Sequence, residues 1–238
     1  MKKVLDSPVS ATFSSEMAHA CHYNAWVLSI FQPYLRGALL EIGVAHGSFY
    51  DLLPSGIRYT GLDIEPCYVA QAQQRGRQAF VADIADSRSL QGRGPFETIL
   101  CFNVLEHVFD DRKALQNLGT LLREGGHVCL FIPAFPVLFG PMDALAGHHR
   151  RYTKASLRAI FPDGLQLEKM VYFNFIGGLG WALNKGRKPR TLDDTAINAQ
   201  IRIFDRYILP LSRALQPVTQ AFFGQSLACV LKKVPYPP

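Results

Sequence analysis

The chain has 238 residues, 48% of them hydrophobic and 18% charged, with a formal net charge of +6. This fits one large or two small globular domains with ample core material, and excludes intrinsic disorder and collagen-like repetition. A membrane-spanning helix needs about 18 consecutive apolar residues, and the most apolar stretch, Phe173 to Leu183, is broken by Asn174, Gly177, Gly178 and Gly180.

Lys2 and Lys3 are followed by Asp6, Ser7 and Pro8 where a signal peptide would carry its apolar segment, so a cytoplasmic location is expected. The five cysteines, Cys21, Cys67, Cys101, Cys129 and Cys229, are widely spaced and form no C-x-x-C pair. They read as reduced, mostly buried residues, with no metal site expected. Positive charge is crowded into Arg150 to Lys154 and Lys185 to Arg190.

In chain order, Glu16 to Tyr34 carries Met17, Tyr23, Trp26, Val27 and Ile30 at helical spacing, which predicts a helical cover ending near Pro33. Short apolar runs at Ala38 to Ile42, Tyr59 to Leu62, Ala79 to Ala82, Thr98 to Phe102 and Val128 to Ile132 then alternate with amphipathic segments. That alternation predicts a parallel, doubly wound sheet. Pro66 and Gly76 bracket one helix. Asp111 is expected to cap another, which buries Ala114, Leu115, Leu118, Leu121 and Leu122 and stops at Gly125 and Gly126. Leu165 to Phe173 reads as a further strand, and Ser226 to Leu231 as a last, antiparallel one. Between them Phe204, Ile208, Leu211, Leu215 and Val218 fall near helical spacing, suggesting a helical insert or lid.

The chemistry concentrates at strand ends. Leu39 to Gly47 predicts a strand running into a glycine turn and, from Ser48, a short helix, a geometry that lets backbone N–H groups approach a ligand. The G-x-G-x-x-G spacing of dinucleotide sites is absent: Ala45 and Ser48 stand at its second and third glycine positions. What remains is Glu41-x-Gly43-x-Ala45-x-Gly47, with Asp63 twenty residues after Gly43 and Asp83 another twenty on. Asp63 is placed to accept from ribose hydroxyls and Asp83 from an adenine amino group, at the sheet edge where open α/β folds bind ligands.

These residues, with Asp83-Ile84, Phe102 to His107 and Leu122 to Gly126, resemble a class I S-adenosylmethionine-dependent methyltransferase over Leu39 to Pro133. The resemblance implies a Rossmann-like, seven-stranded, mainly parallel sheet with an antiparallel last strand. It also implies S-adenosylmethionine as cofactor and S-adenosylhomocysteine as product. Gly43, Ala45 and Gly47, with Glu41 ahead of them, would border the methionine part, Asp63 and Ile64 the ribose, and Asp83 and Ile84 the adenine, while Asn103 would offer its carbonyl to the amino group. Ala45 departs from the usual glycine. Gly147 to Thr153 is similar to a bacterial branch with a G-H-x-R-R-Y segment, which implies a small-molecule acceptor. Tyr23, in Tyr23-Asn24-Ala25-Trp26, is a candidate for the cofactor carboxylate.

For an acceptor hydroxyl, His148 or His149 is the first candidate base and His107 the second. Arg150, Arg151 and Tyr152 are candidates for binding an anionic or hydroxyl-rich metabolite, saccharide or lipid-linked acceptor. Structural readings stand beside these. His107 also suits bracing a helix, the His148 to Tyr152 cluster a hinge, Tyr23 and Trp181 packing, and Lys185 to Arg190 a solvated tip more than a membrane-surface anchor, with peripheral membrane contact left open. Nucleic acid is not expected as a partner, because the basic residues lack interleaved aromatics. Oligomeric state is left open. A non-catalytic cofactor-binding regulator and an aminopropyl transferase are the rival readings, the latter disfavoured because Glu106 stands alone after the fourth strand. The division of the chain is then a cover over 1–36, a cofactor-binding core over 37–173, an insertion over 174–224, and a last strand and tail over 225–238.

Overall fold

The computed structural model of the protein describes residues 19–186 and 195–235. Its centre is one seven-stranded sheet. The strands are β1 Ala38–Ile42, β2 Arg58–Asp63, β3 Ala79–Val81, β4 Phe96–Phe102, β5 Leu122–Pro133, β6 Leu165–Phe173 and β7 Ser226–Lys233, in the order β3-β2-β1-β4-β5-β7-β6. Strands β1 to β5 pair in parallel, and β7 runs antiparallel between β5 and β6. This is the expected architecture. Helices α1 Cys21–Phe31, α2 Pro66–Gln74, α3 Asp111–Leu121, α4 Pro141–Leu145 and α5 Lys154–Arg158 flank or connect the strands. Between β6 and β7 lie α6 Phe175–Asn184, α7 Thr195–Ile203, a π-helical turn Phe204–Ile208, and α8 Leu209–Thr219.

Alternation along the strands separates two cores, because successive side chains point to opposite faces. Leu40, Ile42, Ile99, Cys101, Val128 and Leu130 face α3, whose Ala114, Leu115, Leu118 and Leu121 are buried as the spacing predicts. Leu39, Leu100, Phe102, Cys129 and Phe131 face α1, which contributes Tyr23, Trp26, Val27 and Phe31. All five cysteines are free; Cys101, Cys129 and Cys229 are buried, and Cys21 is exposed. No helix among the described residues is long and apolar enough to cross a membrane.

Several local expectations are corrected. The cover helix is described from Cys21 and gives way to a 3-10 turn at Gln32–Tyr34, while Met17 lies outside the described residues. The helix expected from Ser48 is only a 3-10 turn, Tyr50–Leu52. Asp110, not Asp111, caps α3, accepting from the Lys113 N–H at 2.9 Å. That helix ends at Leu121 and Gly125 and Gly126 lie inside β5, where the β4 pairing shifts register between Phe96 and Thr98. A Cβ on Gly126 would sit 2.9 Å from the Arg123 carbonyl, so the irregularity, not a helix stop, requires this glycine. The insertion is helical as its spacing suggests, and Leu211 and Val218 on it are 58% and 71% exposed. Of the basic tip, Arg187, Lys188 and Arg190 lie outside the described residues.

Asn174 joins β6, the insertion and β7. Buried and left-handed at φ 63°, it accepts at Oδ1 from the Gly177 N–H at 2.9 Å and the Ser212 hydroxyl at 2.8 Å, and donates from Nδ2 to Gln225 at 2.9 Å. Asn174→Ala should destabilise the protein by about 2–4 kcal/mol in urea denaturation, from orphaned buried groups plus the left-handed backbone. Asn174→Asp keeps both Oδ1 interactions but buries a carboxylate oxygen against Gln225 Oε1, and should also destabilise.

Candidate functional site

The carboxyl ends of β1 to β5 meet along one edge of the sheet, and the backbone is strained there. All four described non-glycine residues with positive φ follow strand ends: Ala45 (37°) after β1, Asn103 (51°) after β4, Phe135 (59°) after β5 and Asn174 (63°) after β6. Left-handed backbone costs such residues roughly 1–3 kcal/mol and clusters at functional sites.

On the β1–β3 side, Gly43 and Gly47 have φ values of 76° and 74°, so with Ala45 the turn alternates left-handed residues. Ala45 keeps the conformation glycine would adopt, with added strain. The turn is tied down from several directions. Gly43 N–H donates to the Leu62 carbonyl at 2.7 Å, and Asp63 accepts from Ala45 N–H at 3.0 Å and from Glu65 N–H at 2.9 Å. Arg75 donates to the His46 carbonyl at 2.9 Å, and Arg77 to Asp51 at 3.2 Å, with its guanidinium 4.1 Å from the Tyr50 ring centre.

These arginines were missed in the sequence, because neither lies in the turn. Asp63 therefore braces the turn as well as marking the strand end. Its carboxyl is raised by burial, against the backbone N–H groups that favour the ion. Glu41 is 4% exposed and accepts from the Tyr59 hydroxyl at 2.5 Å; burial pushes its pKa up to about 7 despite that bond. Ile64 is 60% exposed beyond β2. Asp83 accepts from Ala85 N–H at 2.8 Å, and the buried Ile84 presents its carbonyl to Asn117 Nδ2 at 2.7 Å. Asn103 is exposed, and its N–H donates to the Phe131 carbonyl at 2.7 Å.

A loop of positive-φ residues flanked by two strand-end carboxylates is a donor and acceptor set that fits an aminoacyl nucleoside: backbone for its polar tail, and carboxylate lone pairs still available to ribose hydroxyls. Tyr23 is placed differently. It is 8% exposed among Trp26, Phe173 and Phe204, and its hydroxyl bonds to Asn174 and Ser226, a packing role rather than the expected reach to a carboxylate.

Beyond β4 and β5 a second cluster centres on Asp143, a residue the sequence reading did not single out. Fully buried, it accepts at Oδ1 from His148 Nδ1 and Arg151 Nε, each at 2.8 Å, and at Oδ2 from Gly140 N–H at 2.9 Å. Burial opposes its ionisation, but these donors hold the carboxyl below its usual range. The other His148 nitrogen, Nε2, lies 3.9 Å from Glu106 Oε1. Glu106 is fully buried, neither carboxylate oxygen has a hydrogen-bond partner among the described residues, and burial raises its pKa to about 7. His107 packs edge-on to His148, ring centres 4.7 Å apart, and burial and that neighbour lower its pKa to about 4. Donor atoms of Glu106, His107 and His148 lie within 4.8 Å of one another, close enough to share a divalent cation where the sequence led us to expect no metal.

The neighbouring candidates are held in structural work. The Arg151 guanidinium is engaged by Asp143, the Ala134 carbonyl at 3.2 Å and the Trp181 ring at 4.6 Å. Arg150 pairs with Asp111 at 2.7 Å and donates to the Phe109 carbonyl at 2.8 Å. Tyr152, 2% exposed, donates to Asp111 at 2.9 Å. Against the expectation that these residues contact an acceptor, Arg151 and Tyr152 are buried and turned to protein partners, whereas Arg150 pairs with Asp111 while its side chain stays 31% exposed. His149 remains exposed, with its backbone N–H on the Glu106 carbonyl at 2.8 Å.

Residues 40–128 match a protein-family model described as a methyltransferase domain. Over 96 residues the chain is 31% identical to the ubiquinone biosynthesis O-methyltransferase of Cronobacter sakazakii, an alignment covering 38% of this chain and 40% of that protein. It is 30% identical over 96 residues to a thiol S-methyltransferase of Homo sapiens, covering 37% and 39%. The chain thus spans about two-fifths of the length of the curated relatives it matches. Among solved structures, a SAM dependent methyltransferase from Archaeoglobus fulgidus superposes with a TM-score of 0.59 at 17% identity, covering 90% of this chain and 94% of that one. The N-methyltransferase NodS of Bradyrhizobium japonicum, in complex with S-adenosyl-L-homocysteine, gives 0.53 at 17% identity, covering 97% and 93%. Residues 40–128 are therefore similar to a methyltransferase domain, and the fold is that seen in S-adenosylmethionine-dependent methyltransferases.

Arg151→Ala removes one partner of a buried ion pair and should cost about 3–5 kcal/mol in chemical denaturation, whereas His149→Ala, at the surface, should stay within about 0.5 kcal/mol. Glu41 predicts a pH effect. Its pKa is about 7 in the folded state against 4.5 for an ordinary glutamate, so the folded protein binds the extra proton between these limits. Its contribution is present below the lower limit and is lost as pH rises through the upper one. Glu41→Gln should flatten the fall in unfolding free energy between pH 5 and 7.5.

Proposed function

We propose that the chain transfers the methyl group of S-adenosylmethionine to a small hydroxylated or anionic acceptor, a metabolite, saccharide or lipid-linked molecule, as an O-methyltransferase. The observation that carries this reading is the juxtaposition, at one sheet edge within a methyltransferase domain, of the strained Gly43–Gly47 turn and strand-end Asp63 and Asp83 with the Asp143–His148–Glu106 cluster. The named relatives that methylate a ubiquinone precursor's oxygen or a thiol favour a small-molecule acceptor.

When bound, the cofactor supplies an electrophilic methyl group on a sulfonium, so the chain has mainly to align the acceptor and exclude water. Gly43, Ala45 and Gly47 with Glu41 hold the aminoacyl end, Asp63 and Ile64 the ribose, Asp83 and Ile84 the adenine, and Asn103 offers its carbonyl. His148 takes the acceptor proton at Nε2. Asp143 fixes the tautomer by accepting from Nδ1, and Arg151 keeps Asp143 ionised, which makes it a positioning residue. His107 packs against His148, and His149 is exposed beside them.

Calorimetry tests the cofactor half: Asp63→Ala should weaken S-adenosylhomocysteine binding by about 1.5–3 kcal/mol, and no binding by the parent protein would overturn the reading. Labelled methyl transfer to soluble and lipid extracts tests the other half. His148→Ala should lower transfer by about 10²–10⁴-fold with cofactor affinity unchanged; undiminished transfer would remove His148 from the mechanism. Binding without transfer to any extract would favour the non-catalytic regulator.

A further inference from the structure

The helix that roofs the insertion is turned inside out. In a globular protein an amphipathic helix sets its apolar stripe against the core, but α8 packs inward through Leu209 at its start, 3% exposed, and for the rest through polar groups. Ser212 donates to Asn174 Oδ1 at 2.8 Å, Gln216 donates to the Tyr172 carbonyl at 2.7 Å, and Thr219 is 6% exposed. Its outer face carries Leu211, Leu215 and Val218, exposed by 58%, 36% and 71% and spaced i, i+4 and i+7, with Tyr207 in the preceding π-helical turn at 69% and Phe222 in the turn that follows at 58%. Every other exposed residue from 207 to 222 is proline or alanine, save Arg213.

The charge beside this stripe has one sign. Arg206 and Arg213 are exposed on its flank, and the single acidic residue between positions 195 and 233, Asp205, is turned inward onto His22 Nδ1 at 2.9 Å and the Tyr23 N–H at 2.7 Å. An apolar stripe with aromatic residues toward both ends and an arginine-only fringe matches an anionic lipid surface, in which a helix too short to span lies in the plane of the interface. The same insertion reaches the acceptor cluster. Residues of α6, which packs beside α8, bring the Trp181 ring to Arg151 and its Nε1 to the Leu138 carbonyl at 3.1 Å.

We propose that the outer face of α8 docks the protein on an anionic phospholipid bilayer, so that the acceptor is an amphiphile whose reactive group is presented at the membrane surface. The docking stands on the exposed face alone, whereas the amphiphilic acceptor rests on the methyltransferase reading.

The test is co-sedimentation of the full chain, without acceptor, with phosphatidylcholine vesicles and with vesicles also containing phosphatidylglycerol. Wild type should pellet with the anionic vesicles and much less with the neutral ones, and high salt should weaken the binding. The Leu211→Glu/Val218→Glu variant should bind roughly tenfold more weakly or worse, through lost apolar burial and added repulsion. Its circular dichroism and its affinity for S-adenosylhomocysteine should be unchanged. Arg206→Gln/Arg213→Gln should lose the preference for anionic lipid. The proposal is overturned if wild type stays in the supernatant, if the glutamate variant pellets equally, or if light scattering shows a dimer that the glutamate variant makes monomeric, which would assign the face to a second copy. Vesicle binding by a protein that binds no S-adenosylhomocysteine would sink the methyltransferase reading and leave the docking standing.

Discussion

The buried carboxylate of Asp143 is the interaction on which the candidate acceptor site depends. It gathers a histidine ring, a guanidinium and a backbone N–H from three points of the segment after β5. Without these donors an ionised carboxylate with no exposed surface would not be tolerated. With them, it fixes the loop, orients His148 toward Glu106, and holds Arg151 where Trp181 of the insertion rests on it. One buried charge thus couples the end of β5, the histidine and the lid.

A second constraint is where the chain stores strain. Positive φ at Ala45, Asn103, Phe135 and Asn174 places unfavourable backbone after the ends of four strands, and each is held by its surroundings. Asp63 grips Ala45 N–H, the Phe131 carbonyl grips Asn103 N–H, the Tyr152 carbonyl accepts from Phe135 N–H at 2.8 Å, and Asn174 is enclosed by Gln216, Gln225 and Ser212. The sheet is rigid enough to over-determine these turns, so ligand-facing backbone is preorganised rather than formed on binding.

The insertion reconciles two environments. Its inner surface meets the protein through hydrogen bonds to Asn174 and Tyr172, and Asp205 in the π-helical turn accepts from the N–H at the start of the cover helix. Inward polarity of this kind leaves the apolar residues of α8 facing outward, a division that has a physical rationale only if something apolar meets them.

Periodicity and strand-end chemistry determined much of this protein from sequence alone. The alternation of apolar runs with amphipathic segments marked the strands and their parallel, doubly wound arrangement, because burial on both faces of parallel strands demands continuous apolar segments; their order β3-β2-β1-β4-β5-β7-β6 came from the tertiary structure. Gly43, Asp63 and Asp83 were legible as one edge because a regular β-α repeat spaces strand ends evenly. What the tertiary structure alone decided are matters of partner and direction. Asp143 and Arg151 meet across a loop whose closure no local pattern encodes, Arg77 reaches the glycine turn from outside it, and Leu211 and Val218 have the spacing of a buried stripe but point outward. Helical spacing tells which residues share a face. Which way that face turns depends on what the opposite face can bond, and here Ser212 and Gln216 found Asn174 and Tyr172.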